Sequence, residues 1–166
     1  MLLKPTLKLE KITDISVELL NKFNITALIL DVDNTLSTHH GMVLCDGLQN
    51  WLDTMRKNRI KLVILSNSTK KRVKPFAEKI DLDFLSTGLK PLFVGYMRAI
   101  KRLGEKRKNT AIVGDQIFTD VLGGNASFIK TILLTPIKPE SSLRFRFKRK
   151  LEKLVYKLYK IENYKG

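Results

Sequence analysis

Short, almost uninterrupted apolar runs constrain the fold of this 166-residue chain more than any other feature of its sequence. Four of them cover residues 26–32, 61–65, 110–113 and 131–134, and a weaker one covers 82–85. Runs of this kind are typical of parallel strands that are buried on both faces of a sheet. We therefore expect a mostly parallel central sheet with helices on both of its faces.

Segments with helical periodicity separate these runs, which predicts a three-layer α/β fold with right-handed crossovers. The expected helix signals are a cap at Thr13 or Asp14, a cap at Asp46, a kink or start at Pro75, a first turn with Pro91 and an end at Gly104. The composition is 43% hydrophobic, which suffices for one core. We expect a main domain over residues 1–137 and a tail over 138–166.

Charge and cysteine content limit the location and the partners of the chain. Cys45 is the only cysteine, which excludes an intramolecular disulfide and favours a cytoplasmic location. No apolar stretch approaches about eighteen residues, so we expect neither a membrane span nor a secretion signal. Lys and Arg number 31 against 16 Asp and Glu, a net charge of +15. This excess indicates either a phosphate-bearing partner or a general bias of the sequence towards Lys.

Polar residues follow the apolar runs where an open parallel sheet places its ligand site. Asp31 and Asp33 follow the first run, Ser66 the second and Asp115 the third, while Lys90 precedes a helix. Two carboxylates at i and i+2 can serve as nucleophile and proton donor. Lys90 can neutralise Asp31 and a transferring phosphoryl group, whose equatorial oxygens Ser66 can hold.

Asp115 would add a third carboxylate to this strand edge. Crowded negative charge is unfavourable unless a cation is bound, and Mg²⁺ is the natural choice because it binds a few carboxylate or carbonyl oxygens together with a substrate phosphate. The residues can therefore support Mg²⁺-dependent phosphoryl transfer.

Four motifs together resemble those of the haloacid dehalogenase (HAD) phosphatase superfamily. They are DVDNT at 31–35, SNS at 66–68, Lys90-Pro91 and GDQIFTD at 114–120, and the resemblance covers roughly residues 25–135. It implies a Rossmann-like fold, an aspartyl-phosphate on Asp31 and acid/base catalysis by Asp33. It further implies that Mg²⁺ is bound by Asp31, Asp115 and the backbone carbonyl of Asp33, that Asp120 supports a ligand or Lys90, and that phosphate is held by Thr35, Ser66, Asn67 and Lys90.

The spacing of the motifs leaves no room for a cap domain. Only 34 residues separate Asp31 from Ser66, and 23 separate Ser66 from Lys90. The protein is therefore expected to be capless. The run VDNTL at 32–36, the stretch GDQIFTDVLGGN at 114–125 and a basic, amphipathic tail resemble the subfamily IIIA group that includes phosphatidylglycerophosphate phosphatases. An open site of this kind implies a large substrate or an oligomer that supplies a lid. Phosphatases of nucleic-acid ends or phosphoproteins, and a non-catalytic module that binds RNA or the ribosome, are the alternatives.

The tail predicts a basic amphipathic helix. Residues 138–166 contain ten Lys or Arg and three Glu, and an apolar stripe recurs at helical spacing, formed by Phe147, Leu151, Leu154, Val155 and Leu158. The stripe can pack on the main domain or lie in an anionic membrane interface, where the phospholipid headgroups attract the cations. The sequence RFRFKRK at 144–150 also suits single-stranded nucleic acid.

Overall fold

The computed structural model describes residues 1–38, 42–138 and 143–165, and the side chains of residues 143–146 lie outside this description. Six strands and six α-helices alternate for most of this length. The strands are β1 Leu7–Leu9, β2 Ala27–Leu30, β3 Lys61–Leu65, β4 Phe84–Leu85, β5 Thr110–Gly114 and β6 Lys130–Leu134. The helices are α1 Val17–Lys22, α2 Leu48–Lys57, α3 Lys70–Lys79, α4 Phe93–Leu103, α5 Leu122–Ala126 and α6 Leu143–Tyr159, and a π-helix covers Ile117–Val121.

All six strands form one parallel sheet in the order β1-β6-β5-β2-β3-β4. Strand β2 lies at its centre, where Ala27 is in register with Lys61 of β3 and with Thr110 of β5. This confirms the predicted Rossmann-like α/β fold. The carboxyl ends of β2, β3 and β5 consequently meet at one edge of the sheet.

The two faces of the sheet are covered by different helices. Leu28 and Leu30 of β2 point into a core shared with α1, α2 and α3, whereas Ala27 and Ile29 point into a second core shared with α4. Successive side chains of a strand point to opposite faces, so a continuous apolar run supplies both cores. The predicted three-layer arrangement is therefore confirmed.

The chain has no cap domain within the described residues. Between β2 and β3 lies the single helix α2, and between β3 and β4 lies the single helix α3. The short motif spacing thus reflects a carboxyl edge that no inserted domain covers.

Several helix ends differ from their predicted positions. Helix α1 is capped by Ser16, whose hydroxyl accepts a hydrogen bond from Leu19, and not by Thr13 or Asp14, which lie around a short 3₁₀ turn. Helix α2 follows Gly47 in a left-handed conformation, which replaces the cap predicted at Asp46. Pro75 lies inside α3, and Pro91 precedes the first residue of α4. Gly104 ends α4 as predicted.

Strand β1 was not predicted. Its sequence Leu7–Leu9 is only three residues long and contains Lys8, so it lacks the apolar run that marks the other strands. It forms because Leu7 and Leu9 are buried while β1 pairs with β6 at the sheet edge.

Helix α6 packs on the main domain through only part of its predicted apolar stripe. Glu152 and Val155 are 2% and 8% exposed, whereas Phe147, Leu154 and Leu158 are between 62% and 74% exposed. The apolar stripe therefore packs on the domain only in part. Val155 joins a small core with Ile117, Val121 and Leu133, and the rest of the stripe faces solvent.

No helix among the described residues combines the length and the apolar character needed to cross a lipid bilayer.

Candidate active site

The first polar residues after the central strands lie side by side at the carboxyl edge of the sheet. The backbone N–H of Asp31 donates to the carbonyl oxygen of Val113 at 2.9 Å, and that of Ser66 donates to Leu85 at 3.0 Å. Both residues therefore extend the hydrogen-bonding pattern of the sheet. Their side chains begin from a rigid backbone, which suits a site that must hold reacting groups in place.

Lys90 bridges two buried carboxylates at this edge. Its Nζ lies 2.5 Å from Oδ1 of Asp31 and 2.7 Å from Oδ1 of Asp120. The three side chains are between 2% and 9% exposed, so water screens these interactions poorly. The structure thus brings together three of the residues predicted from separate motifs.

Burial and charge shift the pKa values of these groups. Burial raises the pKa of Asp31 to about 7, although the Lys90 ammonium acts in the opposite direction. Burial alone would lower the pKa of Lys90, but the nearby carboxylates of Asp120 and Asp31 raise it overall. Lys90 therefore stays protonated, and Asp31 is only partly ionised near neutral pH.

Asp120 approaches Lys90 because Gly114 has no side chain. A Cβ at Gly114 would lie 2.3 Å from the Asp120 carboxyl group. The same carboxyl accepts a hydrogen bond from the backbone N–H of Gln116 at 3.2 Å through Oδ2. Gly114 and the loop after β5 thus fix the position of Asp120, the residue predicted to support Lys90 or a metal ligand.

Asp115 completes an acidic cluster that fits a divalent cation. One carboxylate oxygen from each of Asp31, Asp115 and Asp120 lies within 4.8 Å of the others. Asp115 is fully buried, and among the described residues its Oδ1 has no hydrogen-bond partner. Burial raises the pKa of Asp115 well above its usual range, with Arg149 opposing this shift. A buried oxygen without a donor is what a metal ligand would offer before the metal binds.

Asp33 lies apart from this cluster. Its carboxylate pairs with the guanidinium of Arg72 on α3, and Arg72 also donates to the hydroxyl of Ser68 at 3.0 Å. The carboxylate of Asp33 is therefore not one of the clustered oxygens. The sequence predicts a metal contact through the backbone carbonyl of Asp33 and not through its carboxylate. The contact between the carboxylate and Arg72 does not test this prediction.

A cleft of about 510 Å³ opens beside Asp33. Ser66, Arg72 and Phe76 are among the residues that line it. The cleft is lined by polar groups of two motifs and by apolar side chains, so it can bind the organic part of a substrate.

The residues predicted to hold phosphate have different surroundings. The Ser66 hydroxyl accepts from the N–H of Ser68 at 3.1 Å, and the buried Thr35 hydroxyl has no partner among the described residues. The Asn67 side chain instead holds the backbone of Lys90, accepting from its N–H at 2.7 Å and donating to its carbonyl at 2.9 Å. Asn67 therefore fixes the loop that carries Lys90.

Three residues near the site were missed by the sequence reasoning: Arg72, Arg149 and Glu152. Each lies on a helix and outside the strand-end motifs. Glu152 did carry a signal, since it is the only acidic residue between 143 and 159 and lies three positions after Arg149. A single acidic residue in an otherwise basic helix indicates that its carboxylate binds a hydrogen-bond donor or a cation elsewhere in the protein.

Comparisons with known proteins place this geometry in a family. The family model described as mitochondrial PGP phosphatase matches residues 1–138. The protein described as probable phosphatase YqeG of Bacillus subtilis is 33% identical over 146 residues, covering 88% of this chain and 85% of that protein.

Solved structures show the same fold at low sequence identity. NagD from Escherichia coli K-12 is 14% identical with a TM-score of 0.58 and covers 73% of this chain and 91% of its own. A 4-nitrophenylphosphatase from Thermotoga maritima is 12% identical with a TM-score of 0.60, and the match covers 74% and 90% of the two chains. The family model and the Bacillus subtilis relative set aside the alternative of a non-catalytic binding module, and the chain belongs to the mitochondrial PGP phosphatase family, as a phosphatase with a capless HAD-like fold.

Proposed function

We propose that this protein hydrolyses a phosphomonoester with Mg²⁺ through an aspartyl-phosphate on Asp31. The observation that carries the proposal is the buried Asp31, held by Lys90 and adjacent to the acidic oxygens of Asp115 and Asp120. A carboxylate of this kind has a fixed direction and little water around it. Both features favour attack on a bound phosphorus atom over unproductive solvation.

In the first step, an oxygen of Asp31 attacks the phosphorus, and the bond from phosphorus to the alcohol oxygen breaks. Lys90 holds Oδ1 of Asp31, so the attack falls to the other carboxylate oxygen. Asp33 gives a proton to the departing alcohol, which leaves as a neutral molecule. The pairing of Asp33 with Arg72 keeps this carboxyl at the edge of the cleft.

In the second step, a water molecule attacks the phosphorus of the aspartyl-phosphate. Asp33 takes a proton from this water, the bond between phosphorus and Asp31 breaks, and inorganic phosphate leaves. Asp33 is thereby restored as an acid and Asp31 as a carboxylate.

Asp31, Asp115 and the backbone carbonyl of Asp33 are the proposed Mg²⁺ ligands, with Asp120 supporting Lys90. When bound, Mg²⁺ neutralises charge on the carboxylates and the transferring phosphoryl group. Ser66, the buried Thr35 hydroxyl, Lys90 and backbone N–H groups near Asn67 would hold the phosphoryl oxygens.

Phosphatidylglycerophosphate, reached at the cytoplasmic face of an anionic membrane, is the proposed substrate. The family description supports this choice, as does a carboxyl edge that no cap domain covers in the part of the chain that the structure describes. Exposed apolar side chains also flank Lys90 in the sequence, namely Leu89, Leu92, Phe93 and Val94. Together with the exposed part of the stripe on α6, they provide apolar surface that an interfacial enzyme needs.

Phosphate release from a panel of substrates tests this proposal. The panel contains phosphatidylglycerophosphate, a 3′-phosphorylated oligonucleotide, a phosphopeptide and an aryl phosphate, each with and without Mg²⁺. We expect Mg²⁺-dependent release that falls on the order of a thousandfold or more in Asp31→Asn, with the lipid preferred. Preference for the oligonucleotide or the peptide would overturn the substrate, and release by Asp31→Asn at the wild-type rate would overturn the mechanism.

A further inference from the structure

Helix α6 holds a half-buried arginine, Arg149, against the acidic cluster. Arg149 contacts Oδ2 of Asp115 through Nη2, and its Nη1 donates to the backbone carbonyl oxygen of Asp115 at 2.8 Å. The guanidinium is planar, so two contacts to one residue fix both the position and the rotation of that residue. The carboxylate of Asp115 is therefore oriented from outside the four motifs.

Glu152 anchors this arginine and the loop after β5. Its Oε2 accepts from Nη1 of Arg149 at 2.7 Å, and its Oε1 accepts from the backbone N–H of Ile117 at 2.9 Å. Glu152 is 2% exposed, which makes both contacts persistent. One turn of α6 thus holds the backbone at both ends of the segment 115–117.

The two oxygens of Asp115 have different surroundings. Arg149 contacts Oδ2, whereas Oδ1 is buried and has no hydrogen-bond partner among the described residues. A metal ligand needs one oxygen for the cation and a partner that keeps the carboxylate from rotating. The arrangement around Asp115 supplies both.

We propose that Arg149 is a positioning residue for the metal site: it holds Oδ2 of Asp115 so that Oδ1 stays available to Mg²⁺. Helix α6 is then part of the active site and not a separate tail. This inference rests on the proposed function, because it requires Mg²⁺ to bind at Asp115.

Arg149 carries a positive charge beside the proposed metal site, and charge and positioning act on Mg²⁺ affinity in opposite directions. A guanidinium beside a metal ligand repels the cation, and on this ground alone its removal would tighten Mg²⁺ binding. Loss of a group that orients a ligand typically weakens metal affinity 10–100-fold. The direction of the change therefore decides between positioning and exclusion.

The test is calorimetric titration of the full chain with Mg²⁺ in the absence of substrate. Relative to wild type, we expect Arg149→Met to bind Mg²⁺ about 10–100-fold more weakly. Arg149→Lys keeps the charge without the planar fork, so it should fall between the two. Arg107→Met is the matched control, because Arg107 is exposed and precedes β5, at the opposite edge of the sheet. An affinity of Arg149→Met equal to or tighter than that of wild type would overturn the proposal.

Folding is monitored separately by the melting temperature without metal. A purely structural role would lower the melting temperature and leave the Mg²⁺ affinity of the folded protein unchanged, which contradicts the proposal. If Arg149→Met does not fold, Arg149→Lys decides alone, and wild-type affinity in that variant counts against positioning.

Asp115→Asn separates this inference from the proposed function. If wild-type protein does not bind Mg²⁺, or if Asp115→Asn binds it equally well, the proposed metal site itself is wrong. If Asp115→Asn loses affinity while Arg149→Met keeps it, only the role of Arg149 is wrong.

Discussion

Lys90 is the residue on which the buried charges at the sheet edge depend. It supplies the positive charge that Asp31 and Asp120 contact directly, and all three side chains are nearly inaccessible to water. Removing one partner of such a group leaves uncompensated charge in a medium that solvates it poorly. The cost of such a substitution is consequently much larger than at the surface.

We predict that Lys90→Met lowers the free energy of unfolding of the metal-free protein by about 3–5 kcal/mol. Arg102→Met is the control, because its ion pair with Asp83 has side chains that are 52% and 49% exposed and should contribute less than about 1 kcal/mol. Denaturant unfolding measures both. Equal losses in the two variants would contradict the account of Lys90.

Mg²⁺ binding should depend on pH through Asp31. Burial raises the pKa of Asp31 to about 7, so below this pH the carboxyl is mostly protonated and a proton must leave before a metal can bind. Above it the carboxylate is already ionised. We predict an increase in Mg²⁺ affinity of about tenfold or more between about pH 6 and pH 8.

Titration calorimetry at several pH values measures this dependence. Asp31→Asn should show a shallower increase, since Asp115 would remain as the buried carboxyl with a raised pKa. A wild-type affinity that is independent of pH would show that the carboxyl is ionised throughout this range.

At the scale of residues, the sequence indicates which residues lie at the sheet edge better than it indicates which side chains they contact. The side chains of Asp31, Lys90, Asp115 and Asp120, predicted from separate motifs, lie close together because the parallel sheet brings its strand ends to one edge. The contact of Arg72 with Asp33 joins α3 to the loop after β2. Its geometry depends on how these elements pack, which no local pattern encodes.

At the scale of elements, α6 shows why periodicity alone cannot say which side chains of a helix are buried. The pattern correctly predicts a helix. It identifies the face to be buried by hydrophobicity alone, but α6 contacts the main domain through the polar residues Lys148, Arg149 and Glu152 as well as through Val155. The ion pair of Arg149 with Asp115 is part of a polar contact with the main domain, and a ranking by hydrophobicity assigns such residues to solvent. The exposed apolar residues are then left for another partner.

We predict that these exposed residues bind anionic membranes. The double substitution Leu154→Ser and Leu158→Ser should weaken binding to phosphatidylglycerol-containing vesicles by about tenfold or more, because burial of one leucine contributes about 1.5–3 kcal/mol. Phe128→Ser is the control, since Phe128 is 78% exposed but precedes β6 at the amino edge of the sheet. Co-sedimentation with vesicles gives the bound fraction.

Vesicles of phosphatidylcholine alone should bind wild type weakly, because the cations of α6 require anionic headgroups. Equal binding of wild type and the double variant would exclude the stripe as the contact, and preferential retention on single-stranded RNA would favour nucleic acid instead.

At the scale of the whole molecule, the net charge and the sheet topology are both consistent with a cation-dependent site for an anionic substrate. The chain carries a net charge of +15, and its acidic cluster lies buried at the one edge where the strand ends meet. A positive surface attracts an anionic substrate, while the buried carboxylates require a cation before they can act. The fold was predictable because four of its six strands have clear apolar runs, whereas β1 depends on pairing at the edge.

The most direct test of the central claim is capture of the phosphoryl group on Asp31. An aryl phosphate has a leaving group that departs without a proton, so Asp33→Asn should permit the first step and slow the second. The Asp33→Asn variant is reacted with the aryl phosphate and Mg²⁺, quenched with acid and digested. Mass spectrometry should then find one phosphoryl group on Asp31, and none in the double variant Asp31→Asn, Asp33→Asn. Phosphate release without this adduct, or an adduct on another residue, would contradict the account.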